Sequence, residues 1–223
     1  MPPDDVILVI GPVLEALNYV GIGVFAASGA VLAAERRQTL VTFLFFGVVT
    51  AVSGGTARDL LIGAPVFWVA ENATLLVCFA GALAVWIAPR RLWSGAALAW
   101  LDAVGLAAYA VYGASKALSF GVAPLPAFAL GVVTACLGGI IRDVLAGQPS
   151  ILMKPELYVT AAALASGAMV GLVELGASTR LAALVAAALG FALRAAAIVW
   201  RLGLPAYGAR PQSAVGDGRD GSP

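Results

Sequence analysis

The chain has 223 residues, of which 61% are hydrophobic and 11% charged, with a formal net charge of +1 and a mean hydropathy of +0.97. A soluble domain carries about 25% charged residues, so this composition excludes a soluble enzyme and a disordered chain. The near-zero charge excludes a nucleic-acid binder, leaving an integral membrane protein as the class.

Seven apolar stretches are long enough to span a bilayer, which takes about 20 apolar residues in a helix. The first, 8–34, follows Asp4 and Asp5 where a signal peptide would carry Lys or Arg, and Glu15 and Asn18 interrupt it. It therefore reads as a retained span. It ends at Glu35-Arg36-Arg37, and the second span runs over 39–62. The third covers 69–88 and stops at Pro89-Arg90-Arg91; the fourth covers 95–119. Pro124 and Pro126 open the fifth, 124–146, and Lys154-Pro155-Glu156 opens the sixth, 156–175, with proline at a tolerated first-turn position. The seventh is 179–201, and from Pro205 the composition turns to Gly, Pro, Ser and charge, as in a disordered tail over 205–223. Period-two alternation is missing, which sets aside a β-barrel.

Lys and Arg near the span ends set orientation. With the N-terminus outside, Arg36, Arg37, Arg90, Arg91, Lys154, Arg201 and Arg210 collect on the inner side, and the C-terminus is cytoplasmic. Trp68, Trp86, Trp93, Trp100 and Trp200 fall near span ends, where an interfacial belt accounts for them.

The second and fifth spans repeat one another. GVVTAVSGGTARDLLIG at 47–63 and GVVTACLGGIIRDVLAG at 131–147 share eleven of seventeen positions at an offset of 84. The same offset pairs Pro65 with Pro149, Gly21 with Gly105, Gly29 with Gly113 and Asn18 with Asp102. The expected architecture is an all-α membrane protein of two three-helix repeats, 6–88 and 95–175, with the seventh helix 179–201 outside them. Three spans per repeat invert the second copy relative to the membrane, an arrangement typical of transport proteins.

Gly54-Gly55 and Gly138-Gly139 sit inside those two spans. Adjacent glycines weaken a helix by about 1 kcal/mol each. One reading is a pair of broken helices whose freed carbonyls line a conduit and coordinate a cation such as K⁺. The other is close helix packing. Arg58-Asp59 and Arg142-Asp143 follow at equal spacing. Charges within spans mark an ion path or an internal pairing. Either the two pairs exchange partners across the pseudo-twofold, Arg58 with Asp143 and Arg142 with Asp59, or the acids flank a path. Asp102 stands alone in the fourth span and needs a partner or a water-filled cavity. Lys116, further along it, is expected to snorkel to the outer surface. Thr50, Ser53, Thr56 and Thr134 are hydroxyls near the glycine pairs, candidates either for lining a path or for bonding their own helix. Cys78 and Cys136 read as small core residues, and the absence of His removes His-based catalysis and metal binding. No cofactor or enzyme constellation is found.

The paired GGxxRD motifs, together with VGIGVFAASGAVLA in the first span and LDAVGLAAYAVYGASKAL in the fourth, resemble the prokaryotic trimeric intracellular cation (TRIC) channels, also known by a glycine-transporter-like domain name. The resemblance covers about residues 6–200. It implies a homotrimer in the inner (plasma) membrane of a prokaryote, with one pore per subunit for monovalent cations, mainly potassium. The second and fifth helices would line that pore around Gly54, Gly55, Arg58, Asp59, Gly138, Gly139, Arg142, Asp143 and Asp102. Animal members carry a basic lipid-binding element with no clear counterpart at Ile140-Ile141. A secondary transporter of a small neutral solute such as glycine is the alternative. A membrane module without a conduit is the third possibility, which predicts paired charges and packed glycines.

Overall fold

The computed structural model describes residues 11–93, 95–153 and 156–204. The expected tail over 205–223 and the start of the first repeat at 6–10 lie outside the described residues, as does Lys154. Seven long helices run through the described chain: α1 (Pro12–Glu35), α2 (Leu40–Leu61), α3 (Asn72–Ile87), α4 (Gly95–Ser119), α5 (Pro124–Leu145), α6 (Tyr158–Glu174) and α7 (Thr179–Trp200). A single helical turn, Phe67–Ala70, precedes α3, and a 3-10 turn, Ile151–Met153, precedes α6. Five of the seven are long and apolar enough to cross a membrane, while α3 and α6 are shorter.

Local chemistry accounts for the boundaries. Pro12 and Pro124 stand in the first turns of α1 and α5, where no backbone N–H is needed. Ser178 caps α7 by accepting from the Leu181 N–H, and Thr39 caps α2 by accepting from that of Thr42. Gly63 and Gly147 end α2 and α5 in the left-handed region, at φ 68° and 64°. A side chain is strained there, and the turn folds the following segment back over the helix end.

The helices pack as two similar triplets. α1 lies against α2 and α3, α4 lies against α5 and α6, and the triplets meet through α1 on α4 and α2 on α5. α7 closes over α4 and α6. At the α1–α4 contact the rings of Phe25 and Tyr109 stack at 5.2 Å. A Cβ on Gly21 would strike the Tyr109 ring and one on Gly105 would crowd Phe25, so each ring occupies the space opened by the other helix's glycine. With lipid as apolar as leucine, such close contacts supply the association that burial supplies in water. The large exposed side chains, among them Val41, Leu61, Leu76, Ile87, Leu125 and Leu175, give this surface an apolar character.

Candidate functional site

The expected breaks at the glycine pairs do not form. α2 and α5 are continuous through Gly54-Gly55 and Gly138-Gly139, so no helix is broken. The carbonyls there stay in the helical ladder, which removes the freed oxygens a carbonyl K⁺ site would need. The glycines serve proximity instead. A Cβ on Gly54 would collide with the Thr134 carbonyl oxygen, and one on Gly138 with the Thr50 carbonyl oxygen. The first glycine of each pair is thus a backbone crossing point between α2 and α5. The second admits an aromatic ring: Phe67 lies against Gly55, and the Tyr158 hydroxyl against Gly139.

The hydroxyls divide. Thr56 Oγ1 donates to the Val52 carbonyl at 2.7 Å and accepts from the Trp68 indole at 2.9 Å. Thr134 Oγ1 donates to the Leu130 carbonyl at 2.6 Å. Both bond their own helix, as is usual inside apolar spans. Thr50 Oγ1 and Ser53 Oγ are buried with no hydrogen-bond partner among the described residues. Both stand on α2 beside the crossing, where such orphaned groups are rare.

One helical turn beyond each crossing lies a buried charge cluster. Arg58 does not reach Asp143, nor Arg142 Asp59; each arginine folds back onto its own neighbour. Arg58 Nε donates to Asp59 Oδ1 at 2.9 Å, and Arg142 Nε to Asp143 Oδ1 at 3.0 Å. The other carboxylate oxygen caps the returning segment: Asp59 Oδ2 accepts from the Phe67 N–H at 3.0 Å, and Asp143 Oδ2 from the Ile151 N–H at 2.9 Å. This is why GxP follows each RD motif. The left-handed glycine and the proline bring the next backbone N–H onto the acid.

Beyond that shared core the clusters differ. Arg142 is also held by Asp102, Nη1 to Oδ1 at 2.6 Å and Nη2 to Oδ2 at 3.0 Å, and donates to Ser28 Oγ at 2.8 Å. Arg58 has no second acid among the described residues. It lies 5.1 Å from the Tyr112 ring centre and 5.8 Å from that of Phe67, while Lys116 Nζ meets Asp59 Oδ1 at 2.8 Å. Lys116 is therefore buried in an ion pair instead of snorkelling outward. The α2 cluster carries two cations and one anion, and the α5 cluster one cation and two anions. The cause is two mismatches between the repeats, Asn18 against Asp102 and Leu32 against Lys116.

Sequence reasoning left out the aromatic faces around Arg58, the Ser28 contact, and Arg194. The last donates to Glu156 Oε2 at 2.7 Å and lies over the Tyr158 ring at 5.4 Å. An arginine in the middle of the seventh span was signal enough to find it.

Three comparisons bear on this geometry. The family model described as "Glycine transporter" matches residues 15–90 and again 99–174, two segments separated by the same 84 residues. The UPF0126 inner membrane protein YadS of Escherichia coli (strain K12) is 38% identical over 203 residues, covering 86% of this chain and 94% of that one. The UPF0126 membrane protein YvgT of Bacillus subtilis is 38% identical over 170 residues, covering 73% and 81%. Among solved structures, the TRIC trimeric intracellular cation channel orthologue from Rhodobacter sphaeroides is 41% identical with a TM-score of 0.80, covering 86% of this chain and 100% of that one. A prokaryotic TRIC channel in 0.5 M KCl is 29% identical with a TM-score of 0.77, covering 86% and 98%. A trimeric intracellular cation channel from C. elegans, 16% identical at TM-score 0.54, shares the fold.

Proposed function

We propose that this chain, which belongs to the glycine-transporter family and shares the fold of the prokaryotic TRIC channels, is a passive channel for monovalent cations, chiefly potassium. In this reading the protein is a homotrimer in the inner membrane of a prokaryote. It has seven spans in two inverted repeats plus α7, an external N-terminus, and one pore per subunit. The pore runs along α2 and α5, past Thr50, Ser53, Gly54, Gly55 and Thr56 on one side and Thr134, Gly138 and Gly139 on the other. Arg58 with Asp59 stands toward one end, and Arg142 with Asp143 and Asp102 toward the other.

Its strongest support is the likeness, across the whole of the neighbour's chain, to a structure named as a cation channel. The orphaned Thr50 and Ser53 hydroxyls add to it, since unpartnered hydroxyls beside a helix crossing suit a path that hydrates when the helices part. The conformation described is then a closed one, shut where Gly54 and Gly138 meet the facing carbonyls. Potassium flux into proteoliposomes under an imposed gradient tests the reading. Folded trimeric protein with no flux above empty vesicles overturns it.

One observation favours a second reading, a membrane module without a conduit: all four repeat charges are paired and the glycines are packed. The matching family's description favours a third, secondary transport of a small neutral solute such as glycine. Saturable glycine uptake driven by an ion gradient would select transport over passive flux. An absence of both would select the module.

A further inference from the structure

The C-terminal end of α7 carries a largely apolar cavity with one acid and one base on its wall, apart from the α2–α5 crossing. Its volume is about 390 Å³, and its walls include Glu156, Ala197, Ile198, Arg201 and Leu202. The two sides are tied by an antiparallel bridge between Glu156 and Gly203 and by the pair of Glu156 with Arg194. Arg194 is 1% exposed, so its guanidinium fixes one carboxylate oxygen from below, while the Glu156 side chain remains 41% exposed on the wall. Arg201 faces the same cavity from a left-handed backbone, φ 53°, at the helix cap where glycine is the ordinary residue. A non-glycine residue held there points from geometry to use.

We propose that this cavity binds the headgroup of an aminophospholipid, with its phosphate on Arg201 and its primary ammonium on Glu156. An acid and a base on one wall match a zwitterion, and arginine is the residue suited to a phosphate. The apolar collar selects a lipid over a free solute. Ala99, Ala197, Ile198 and Leu202 line the cavity, and the neighbouring Trp200 and Leu204 are exposed, as in an interfacial belt. A quaternary ammonium has no N–H to donate to Glu156, and a glycerol headgroup has no cation. The site therefore ranks phosphatidylethanolamine above phosphatidylcholine and phosphatidylglycerol.

Native mass spectrometry of the full-length protein, released from nanodiscs with equal amounts of the three lipids, measures that ranking without reference to conduction. Wild type retains phosphatidylethanolamine about tenfold over phosphatidylcholine, the effect of one charge-assisted hydrogen bond. Glu156→Gln brings the ratio toward one, while Arg201→Gln, at an exposed residue, lowers retention of all three lipids severalfold because the phosphate is common to them. Equal retention of the three lipids by wild type, or undiminished retention of phosphatidylethanolamine in Arg201→Gln, overturns the assignment. So does displacement of the bound lipid by excess free glycine, which would make the cavity a site for a small zwitterion. Should Glu156→Gln fail to fold, the wild-type ranking and Arg201→Gln decide.

Discussion

Gly54 and Thr134 meet backbone to backbone: the glycine Cα of α2 lies against the carbonyl oxygen of α5 with no room for a methyl group between them. At the position 84 residues along each chain segment, Gly138 meets Thr50 in the same way. A carbonyl in a continuous helix cannot swing aside, so an added Cβ must push the two helices apart. Gly54→Ala and Gly138→Ala are expected to lower stability by about 1–3 kcal/mol, the usual cost of overpacking. Gly171→Ala in α6 is the control, since a Cβ there meets nothing within 4 Å. Thermal unfolding in detergent compares the three. Crossing variants as stable as Gly171→Ala would mean that the helices do not touch there.

Asp59 serves two cations, Arg58 and Lys116, and loses both if neutralised. Breaking a buried pair by removing one partner costs about 3–5 kcal/mol. Asp59→Asn should fall in that range, whereas Lys116→Met leaves Arg58 and Asp59 balanced and costs much less. The double variant should be more stable than Asp59→Asn alone, because one of the two uncompensated cations is gone. A double-mutant cycle on unfolding midpoints measures the coupling, and strict additivity would show that Lys116 and Asp59 do not interact.

Arg194 leads to the opposite expectation from its burial. Its Nε and Nη1 have no partner among the described residues, so the buried guanidinium is incompletely satisfied. Replacing a buried ion pair by apolar groups of similar size is often neutral or stabilising by about 1–4 kcal/mol. Arg194→Met is expected to be neutral or stabilising, since Glu156 is exposed enough to be hydrated, while Glu156→Gln strands the buried cation and destabilises. Unfolding of both variants in detergent checks the order, and a severe loss in Arg194→Met would reverse it.

These contrasts mark what could be read from residues alone. The helices and their ends were legible, because apolar runs, prolines and the arginine pairs act locally. The repeat was legible because Gly-Gly-x-x-Arg-Asp is too polar and too particular to recur by apolar composition. The pairing of each arginine with its own neighbour was not, since neighbours on a helix point apart and only a long guanidinium folding back joins Arg58 to Asp59. Glycine's helix penalty suggested a break at Gly54-Gly55. Interhelical contact offsets that penalty, and contact between distant segments leaves no local trace. Lys116 turns inward instead of snorkelling for the same reason: its acid belongs to another helix.

Asp102 is where the electrostatics of the two clusters part, and it offers the sharpest test of the α5 cluster as part of a cation path. Its carboxylate holds both terminal nitrogens of Arg142. Asn18 occupies the equivalent register in α1, so the first repeat already accommodates an amide there. In Asp102→Asn, Arg142 keeps Asp143 at 2.8 Å and Ser28 at 2.8 Å, which favours retention of the fold. What changes is charge: the cluster goes from one excess anion to balance. A favourable site for a cation in a low-dielectric surrounding is then lost, and potassium flux in proteoliposomes should fall severalfold, with selectivity over chloride falling as well. Lys116→Met, which removes the excess cation from the α2 cluster, should move flux in the opposite direction. Flux assays on the two variants beside wild type, with trimer content checked for each, give the comparison. Wild-type flux and selectivity in both would mean that Asp102 and Lys116 hold helices together and do not act on passing ions.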